Sequence, residues 1–513
     1  MSAPREVELK LECGGPDLAA LASHPLLQGH EEGGREPVLM VTTYFDTPDG
    51  ALRAAGLSLR VRRRGDSFVQ TVKAGEAGAG LFDRAEWESP VQGETPEAEA
   101  YAGTPVAEVL AGAGKPALEP LFTTVVMRSE RRVAYGASRI VATLDEGRVE
   151  SGRGDTPLCE LELELAEGTS ADLFALAQAL AETVPLRIGV RSKSARGFAL
   201  LDEAGTGPSK AEPLHLPEDA TAGDAFRLVA LACLRHLRLN EEVFLARRPP
   251  EALHQIRVSL RRLRSALSLF KPILEDDPRA AALGAEIKRV TEPFGQARNL
   301  DVFLGTTLPA EMARRPDEPG LAGLRARLEA EHERAYAAVL DILEAPEWRI
   351  LLLDLVAWLD SGAWRALPAA AVPAEDFASE TLDRFRARVK KRGRHLDRLD
   401  PEERHRVRIA AKKLRYGADF FASLYTGKKA RKRHKSFAAA LSDLQDHLGA
   451  LNDLATAHTV MADLAGADGA RTDGATAFAA GLTAADNEAQ SEDLLAKAAE
   501  AHEDLVDVKP FWR

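Results

Sequence analysis

The sequence predicts an α+β multidomain protein with a strand-rich N-terminal part and an all-helical C-terminal part. Up to about residue 201, short runs that alternate apolar and charged residues are separated by Gly and Pro, a pattern typical of half-buried strands. From Thr221 onward, apolar residues recur at helical spacing over long stretches. The helical part also contains an internal repeat, which predicts two related halves.

The overall composition indicates a globular protein of a reducing compartment. The chain has 513 residues, of which 45% are hydrophobic and 28% charged, and its net charge of −12 disfavours a general nucleic-acid binder. Cys13, Cys159 and Cys233 are scattered, without metal-site or disulfide spacing. The N-terminus lacks the apolar core of a signal peptide, and no run of roughly 18 apolar residues occurs. We therefore expect a cytoplasmic protein.

Shifts in composition place the domain boundaries. Residues 4–201 form the strand-rich domain, and residues 202–220, rich in Gly, Pro and small polar residues, are expected to form a linker. The helical domain follows at 221–513, with halves at about 221–365 and 374–513. We expect these halves to pack as one pseudo-symmetric helical bundle.

Charged side chains recur on one face of each predicted strand. Because alternate side chains share a face, Glu6, Glu8 and Lys10 point one way and the apolar residues between them the other. The same alternation occurs at Arg60 and Arg62, at Thr71 and Lys73, at Arg84, Glu86 and Glu88, and at Glu160, Glu162 and Glu164. A sheet with one solvated face would explain any single strand. A face that is almost wholly charged, with both signs, instead favours a barrel whose interior holds a polyanion and divalent cations.

Eight short motifs in this part follow the order of a known family. They are EVELK at 6–10, YFDT at 44–47, LRVR at 59–62, TVK at 71–73, RAEWE at 84–88, LDEG at 144–147, ELELEL at 160–165 and RSKSARG at 191–197. Together they resemble the CYTH domain, also called the triphosphate tunnel metalloenzyme. The resemblance implies an eight-stranded antiparallel tunnel barrel that hydrolyses a triphosphate with Mg²⁺ or Mn²⁺.

The same resemblance implies roles for individual residues. The family pattern assigns metal binding to Glu6, Glu8, Glu160 and Glu162, with Asp145 and Glu86 as further contributors. It assigns triphosphate binding to Lys10, Arg60, Arg62, Lys73, Arg128 and Lys193. Arg131 and Arg132 lie close to Arg128 and are alternatives to it, because the motif around them is only loosely aligned.

A basic stripe marks one predicted helix, and the stripe recurs later in the chain. His254, Arg257, Arg261 and Arg264 are spaced by three and four residues, and 151 positions later His405, Arg408, Lys412 and Arg415 repeat them. Like charges along one helix face repel each other, so two such stripes favour an anionic ligand over a merely solvated surface. The segment 388–435 is also rich in positive charge, since it contains 18 Lys or Arg residues and 5 acidic residues.

The motifs HQIRVSLRRLRSAL, HRVRIAAKKLRY, ARNLDV and LGALND resemble the two halves of a CHAD domain, over about 221–513. The resemblance implies that the eight residues of the two stripes bind polyphosphate. Plausible auxiliary contacts are Lys428, Lys429, Arg431, Lys432 and Arg433. Nucleic acid is disfavoured as a partner because only 6% of residues are aromatic, no reader motif is present and the rest of the chain is acidic.

The sequence therefore predicts metal-dependent hydrolysis of inorganic triphosphate in the tunnel and polyphosphate binding by the helical domain. A non-catalytic polyphosphate-binding or targeting protein is one alternative, and a tunnel hydrolase or cyclase acting on thiamine triphosphate or a nucleotide is another. The presence of both acidic pairs, Glu6 with Glu8 and Glu160 with Glu162, favours an enzyme because simple anion binding would not need them. We expect no membrane partner, and association with polyphosphate granules in the cytoplasm.

Overall fold

The computed structural model of the chain describes residues 5–28, 36–75, 78–112, 114, 117–202, 205, 207–466 and 491–513, with only the backbone for 455–466. The chain forms two compact units. The barrel unit contains Met1–Ser209, Leu234–Arg247 and Glu344–Gly362, and the helical unit contains Lys210–Cys233, Arg248–Leu343 and Ala363–Arg513. A single boundary in the sequence therefore does not separate the units, since two helical segments that follow Ser209 belong to the barrel unit.

Eight antiparallel strands close into a barrel, which confirms the predicted fold class. The strands are β1 (Arg5–Glu12), β2 (Val38–Asp46), β3 (Leu57–Arg64), β4 (Ser67–Ala74), β5 (Leu81–Val91), β6 (Glu119–Tyr135), β7 (Ser138–Ser151) and β8 (Gly154–Glu167). Their order is β5-β4-β3-β2-β6-β7-β8-β1, and β1 also pairs with β5 to complete the closure. A short strand β9 (Arg187–Ile188) pairs with the end of β1.

Helices of the barrel unit pack against its strands. They are α1 (Gly15–Ala22), α2 (Ala51–Ala54), α3 (Ala98–Tyr101), α4 (Pro105–Gly112), α5 (Ser170–Ala181) and α6 (Lys193–Leu201). The outward faces of the strands are apolar: Leu59 and Val61, for example, share a buried cluster with Val106 and Leu110 of α4. Burying the apolar faces outward leaves the charged faces directed into the lumen.

The rest of the chain is helical. The helices are α7 (Ala222–Arg247), α8 (Pro250–Leu269), α9 (Lys271–Leu274), α10 (Pro278–Val290), α11 (Glu292–Val302), α12 (Leu308–Arg314), α13 (Gly320–Glu344), α14 (Pro346–Ser361), α15 (Ala374–Arg392), α16 (Pro401–Phe421), α17 (Lys428–Gly466) and α18 (Ser491–Asp507). Within the helical unit, the repeated helices α8 and α16 pack against each other, α11 packs on α8, and α17 packs on α16. The two repeats, α8 with α11 and α16 with α17, therefore contact each other through their basic helices α8 and α16.

Aromatic side chains anchor the core of the helical unit. Phe270 lies 5.0 Å from Phe377 and 5.5 Å from Phe421, measured between ring centroids. All three are buried, and ring pairs at such separations add to the stabilisation given by apolar burial. Among the described residues, no helix is both long enough and apolar enough to cross a membrane.

Candidate functional site

A charged cavity of about 280 Å³ lies inside the barrel. All six predicted triphosphate-binding cations line it, together with Glu6, Glu8, Glu86 and Glu162. The remaining two predicted carboxylates, Asp145 and Glu160, are buried and contact lining residues. The fold therefore brings together all twelve residues singled out in the barrel sequence, from β1, from β3 to β8 and from α6.

Lys10 and Lys193 are the centre of a buried ion cluster at one side of the lumen. Lys10 Nζ lies 2.9 Å from Glu160 Oε1 and also pairs with Glu162. Lys193 Nζ lies 2.8 Å from both Glu162 Oε1 and Asp145 Oδ2, and it pairs with Glu160. Register explains the assembly, because Lys10 stands opposite Glu162 and Asp145 stands opposite Glu160 on neighbouring strands.

Electrostatic attraction keeps this cluster ionised despite its burial. Burial alone would raise the pKa of Glu162, but Lys10, Lys193 and Arg128 hold the pKa well below its usual value. Burial alone would likewise lower the pKa of Lys10, but Glu160, Glu162 and Glu8 raise it well above its usual value. The site therefore holds fixed charges of both signs at neutral pH.

The acidic cluster fits a hard divalent cation. Asp145, Glu160 and Glu162 each offer an oxygen, and these oxygens lie within 4.8 Å of one another. Glu160 Oε2 and Glu8 Oε1 are buried and accept no hydrogen bond from any residue that the structure describes. Carboxylate oxygens are the donors that Mg²⁺ and Mn²⁺ prefer, and buried unpaired oxygens carry a desolvation cost that a cation would remove.

A second group of charges surrounds Lys73. Its Nζ lies 2.6 Å from Glu6 Oε2 and 3.0 Å from Glu86 Oε2. Arg84 connects this group to the first, since its guanidinium lies 3.3 Å from both Glu6 and Glu8. The six predicted carboxylates are therefore divided between two groups, with Asp145, Glu160 and Glu162 in one and Glu6 and Glu86 in the other, while Glu8 contacts both.

Arg62 differs from the other cations of the lumen. Within the described part of the chain, no carboxylate lies within ion-pair distance of it, whereas Arg60 lies 3.5 Å from Glu86 and Arg128 lies 2.5 Å from Asp145. Burial, with repulsion from Arg60 and Arg128, lowers the pKa of Arg62 to about 10. An arginine held among other cations in this way is ready to accept an anionic ligand.

Several lumen residues were missing from the predicted set, among them Arg84, Tyr44 and Glu164. Arg84 shares the alternation of Glu86 and Glu88, so the sequence pattern contained the signal for it. Tyr44 lines the cavity from β2 and stacks on Phe122 at 4.8 Å between centroids. Glu164 also faces the lumen, where burial together with Glu6 and Glu86 raises its pKa to about 7. By contrast, Arg131 donates to the carbonyl oxygen of Ala22 at 3.2 Å and does not line the cavity.

The basic stripes of α8 and α16 form one cation cluster in the helical unit. Burial, with repulsion from Arg261 and Arg408, lowers the pKa of Lys412 to about 6. Burial, with repulsion from Arg261, Arg298 and Arg408, similarly lowers the pKa of Arg257 to about 10. Such mutual repulsion means that the two stripes face each other rather than opposite sides of the unit.

Elements that follow each stripe hold some of its members in place. Arg257 Nη1 donates to the Gly295 carbonyl at 3.0 Å, and His405 Nδ1 lies 3.0 Å from Asn452 Oδ1. Arg415 donates to Gln445 Oε1 at 3.3 Å. These acceptors are neutral, so they orient the cations without cancelling their charge. Arg264 also belongs to the cluster, since burial and Arg261 lower its pKa, and the same holds for His254 beside Arg298.

Arg298 was not predicted, although the ARNLD motif contains it. Its guanidinium lies 3.7 Å from Asp301, which also accepts from Tyr336 at 2.8 Å and lies 2.9 Å from His332 Nε2. The predicted auxiliary cations of 428–433 lie at the start of α17, where Arg431 and Arg433 donate to backbone carbonyls at 2.6 Å.

An antiparallel barrel with a charged lumen, joined to a duplicated helical domain, defines a protein that combines two known modules. The CYTH domain family matches residues 4–198, and the CHAD domain family matches residues 228–462. The chain belongs to the CHAD family and carries a CYTH domain as its N-terminal module.

Individual relatives cover the two modules separately. An inorganic triphosphatase from Haemophilus influenzae is 28% identical over 201 residues, which are 38% of this chain and 55% of that protein. The CHAD domain from the plant Ricinus communis is 32% identical with a TM-score of 0.51, covering 58% of this chain and 96% of that one. HpAC1 from Hippeastrum, described as having a dominant triphosphatase activity, is 22% identical with a TM-score of 0.29 and covers 38% of this chain and 95% of that one.

Proposed function

We propose that the barrel hydrolyses inorganic triphosphate in a metal-dependent reaction. The observation that carries this proposal is the buried cluster in which Asp145, Glu160 and Glu162 offer oxygens within 4.8 Å of one another, beside a lumen lined by cations. The similarity to a protein named inorganic triphosphatase supports the same class of substrate. A lumen lined by both carboxylates and cations suits a phosphate chain with a divalent cation better than a neutral ligand.

In this proposal, the cations of the lumen bind the phosphate chain and the carboxylates bind the metal ion. Arg60, Arg62 and Lys73 bind phosphoryl oxygens, and Arg62 binds them without first breaking an ion pair to a described carboxylate. Lys10 and Lys193 neutralise charge that develops at the phosphoryl group under attack. Asp145, Glu160 and Glu162 would hold Mg²⁺ or Mn²⁺, which when bound supplies Lewis-acid polarisation and a more acidic water.

The substrate is tested by comparing phosphate release from inorganic triphosphate, ATP, thiamine triphosphate and pyrophosphate in Mg²⁺ and in Mn²⁺. We expect the highest kcat/KM for inorganic triphosphate, because the described lumen is lined by charged groups and offers little apolar surface to an organic substituent. A preference for thiamine triphosphate or a nucleotide would assign the tunnel to an organic triphosphate. Formation of a cyclic nucleotide would assign it to a cyclase.

We further propose that the cation cluster of α8 and α16 binds polyphosphate. The cluster gathers Arg257, Arg261, Arg408 and Lys412 at mutually repelling distance, and the attraction of Asp301 and Asp453 does not offset the effect of burial and repulsion on Arg257 and Lys412. Placing so many like charges together costs free energy in the absence of a ligand, and a flexible polyanion recovers that cost. This binding would keep the hydrolase near phosphate chains.

Competition separates polyphosphate from nucleic acid as the ligand of this cluster. Binding of a labelled polyphosphate is measured against unlabelled polyphosphate and against double-stranded DNA over a range of salt concentrations. We expect polyphosphate to compete at far lower phosphate concentration, since aromatic residues, which would stack on bases, make up only 6% of the chain. Equal competition by DNA would identify a general phosphate-backbone site, and no polyphosphate binding at all would remove the second proposal.

A further inference from the structure

Two arginines of α7 hold the chain segment that leads into Lys193. The second half of α7, Leu234–Arg247, belongs to the barrel unit. From it, Arg238 Nε donates to the carbonyl of Ile188 at 3.0 Å, and Arg235 donates to the carbonyl of Val190. Between these two carbonyls, the Gly189 N–H donates to the carbonyl of Lys10 at 2.9 Å. The segment is thus fixed from α7 on one side and from β1 on the other.

The segment is directly connected to the ion cluster of the lumen. Two residues after Val190, the Ser192 hydroxyl accepts from the Ala195 N–H at 3.1 Å and caps α6 at its first residue, Lys193. Lys193 then reaches Asp145 and Glu162, each at 2.8 Å. The hydrogen bond at Gly189 joins the same segment to the backbone of Lys10. Residues 188–192 therefore lead directly into Lys193 and are also hydrogen-bonded to the backbone of Lys10.

Arg238 is itself held by a buried network. Only 3% of its side chain is exposed, and Glu241, which lies 2.7 Å from its Nη1, is fully buried. Its Nη2 donates to Glu12 at 3.2 Å. Glu241 also pairs with Arg187 and accepts from Trp348 Nε1 of α14 at 3.2 Å. Arg238 and Glu241 each have three partners, so the guanidinium of Arg238 has one well-defined direction.

Stability alone is a weak reason for such a network. Burying ion pairs is costly, and well-packed apolar residues of similar volume often give equal or greater stability. A buried guanidinium with several hydrogen-bond partners fixes the positions of the groups that it contacts. Here those groups are the carbonyl of Ile188 and the carboxylate of Glu12, the neighbours of the two lumen lysines.

We propose that Arg238 is a positioning residue for the triphosphate site of the barrel, acting through the 188–192 segment on Lys193 and Lys10. Helix α7 from Leu234 onward lies inside the CHAD match, so a helix of the second module sets the geometry of the first module's lumen. The inference rests on the proposed triphosphatase function for its kinetic consequence. Its structural consequence, a looser 188–193 segment when Arg238 is lost, is independent of any activity.

The test uses the full chain with Arg238→Met, Arg238→Lys and, as a matched control on the same helix, Arg247→Met. Arg247 is exposed in the last turn of α7. Backbone hydrogen exchange is followed peptide by peptide, and kcat and KM for triphosphate are measured in parallel. We expect Arg238→Met to speed exchange at residues 187–196 while α8 and α16 keep wild-type rates. We expect its kcat to fall about tenfold with KM within about twofold, since Lys10 and Lys193 are proposed to stabilise charge that develops only in the transition state.

The other outcomes are equally decisive. Arg238→Lys should restore part of the protection, because an ammonium can still reach one of the three acceptors. Wild-type exchange at 187–196 in Arg238→Met, or faster exchange spread evenly over the barrel unit with an unchanged kcat, would overturn the positioning role. If wild type released no phosphate at all, the proposed function would fail while the exchange data still decided this inference. Should Arg238→Met not fold, Arg235→Met, at a partly exposed position, carries the same two measurements.

Discussion

Lys10 and Lys193 share the carboxylates of Glu160 and Glu162, although one lysine lies in β1 and the other begins α6. Each lysine lowers the cost of burying the two carboxylates, and each carboxylate favours the charged form of both lysines. The cluster is therefore complete only when the barrel has closed and α6 has docked. A triphosphate site built on it depends on the tertiary fold as a whole.

Glu160→Gln should remove divalent-cation binding from the barrel. The amide keeps the size of the side chain and leaves Lys10 and Lys193 paired with Glu162, so the fold is expected to survive. Losing one anionic ligand should weaken Mn²⁺ binding by at least about tenfold, as measured by calorimetry. Glu167→Gln, at an exposed position of the same strand, is the control and should bind Mn²⁺ like wild type. Equal Mn²⁺ affinity in Glu160→Gln and wild type would place the metal elsewhere.

Arg62→Met should impair triphosphate turnover without destabilising the protein. Arg60 and Arg128 repel Arg62, and Arg62 forms no ion pair with a described carboxylate. Removing its charge should therefore not lower the melting temperature. Loss of a charge-assisted contact to phosphate should lower kcat/KM roughly ten- to a hundredfold. Arg64→Met, at an exposed position on the same strand, should leave kcat/KM unchanged. A drop in melting temperature with normal kinetics would show that Arg62 supports the barrel rather than the substrate.

Charge reversal of Arg261 and Lys412 together should abolish polyphosphate binding and spare the tunnel. The two residues come from α8 and α16 and lie in the same cation cluster, so reversal places two carboxylates beside Arg257 and Arg408 and neutralises the charge of the cluster in the free protein. We expect affinity to fall by at least about a hundredfold at low salt. The control is reversal of Lys288 and Arg289, which are exposed on α10. An equal loss in the control, or loss of triphosphate hydrolysis with the cluster variant, would contradict the division of roles between the two modules.

Polyphosphate affinity should depend on pH through Lys412. In the free protein, burial with Arg261, Arg408 and Arg257 lowers the pKa of Lys412 to about 6, against the attraction of Asp453. A bound polyanion favours the protonated lysine and raises that pKa, so binding takes up a proton at any pH between the two values. Affinity should therefore be highest near pH 6 and fall by about tenfold towards pH 8.5, if the bound pKa lies at least one unit higher. Lys412→Met should flatten the profile, and a profile unchanged by that substitution would assign the titration to another group.

The fold class followed from periodicity because its two periods are unambiguous in this chain. Alternation over residues such as Glu6 to Leu11 predicted strands, and the steps of three and four from His254 to Arg264 predicted a helix; both elements are present. The same alternation placed the charged side chains on one face, and closure of the barrel directs that face into the lumen. The duplication likewise predicted that α8 and α16 would be related.

Sequence periodicity did not predict which strands and helices contact each other. The alternation of residues predicts which face of the strand Asp145 lies on, but it does not predict which residue stands opposite. The register between β7 and β8 places Asp145 opposite Glu160. Consequently the division of the six carboxylates into two groups was not predicted. Helical periodicity in α7 and α14 likewise predicts an apolar stripe, but it does not predict which element packs on that stripe. The sequence therefore did not predict that Leu234–Arg247 and Glu344–Gly362 belong to the barrel unit.

The central claim is that the lumen of the barrel is a metal-dependent triphosphatase site. The most direct test is phosphate release from inorganic triphosphate by wild type and Glu8→Gln, each with Mg²⁺, with Mn²⁺ and with chelator. Glu8 is buried, contacts both Lys10 and Arg84, and leaves one oxygen without a hydrogen bond among the described residues. We predict release by wild type with metal, and none with chelator or with Glu8→Gln. Release that persists in chelator or in Glu8→Gln, or no release by wild type under any condition, would contradict the account.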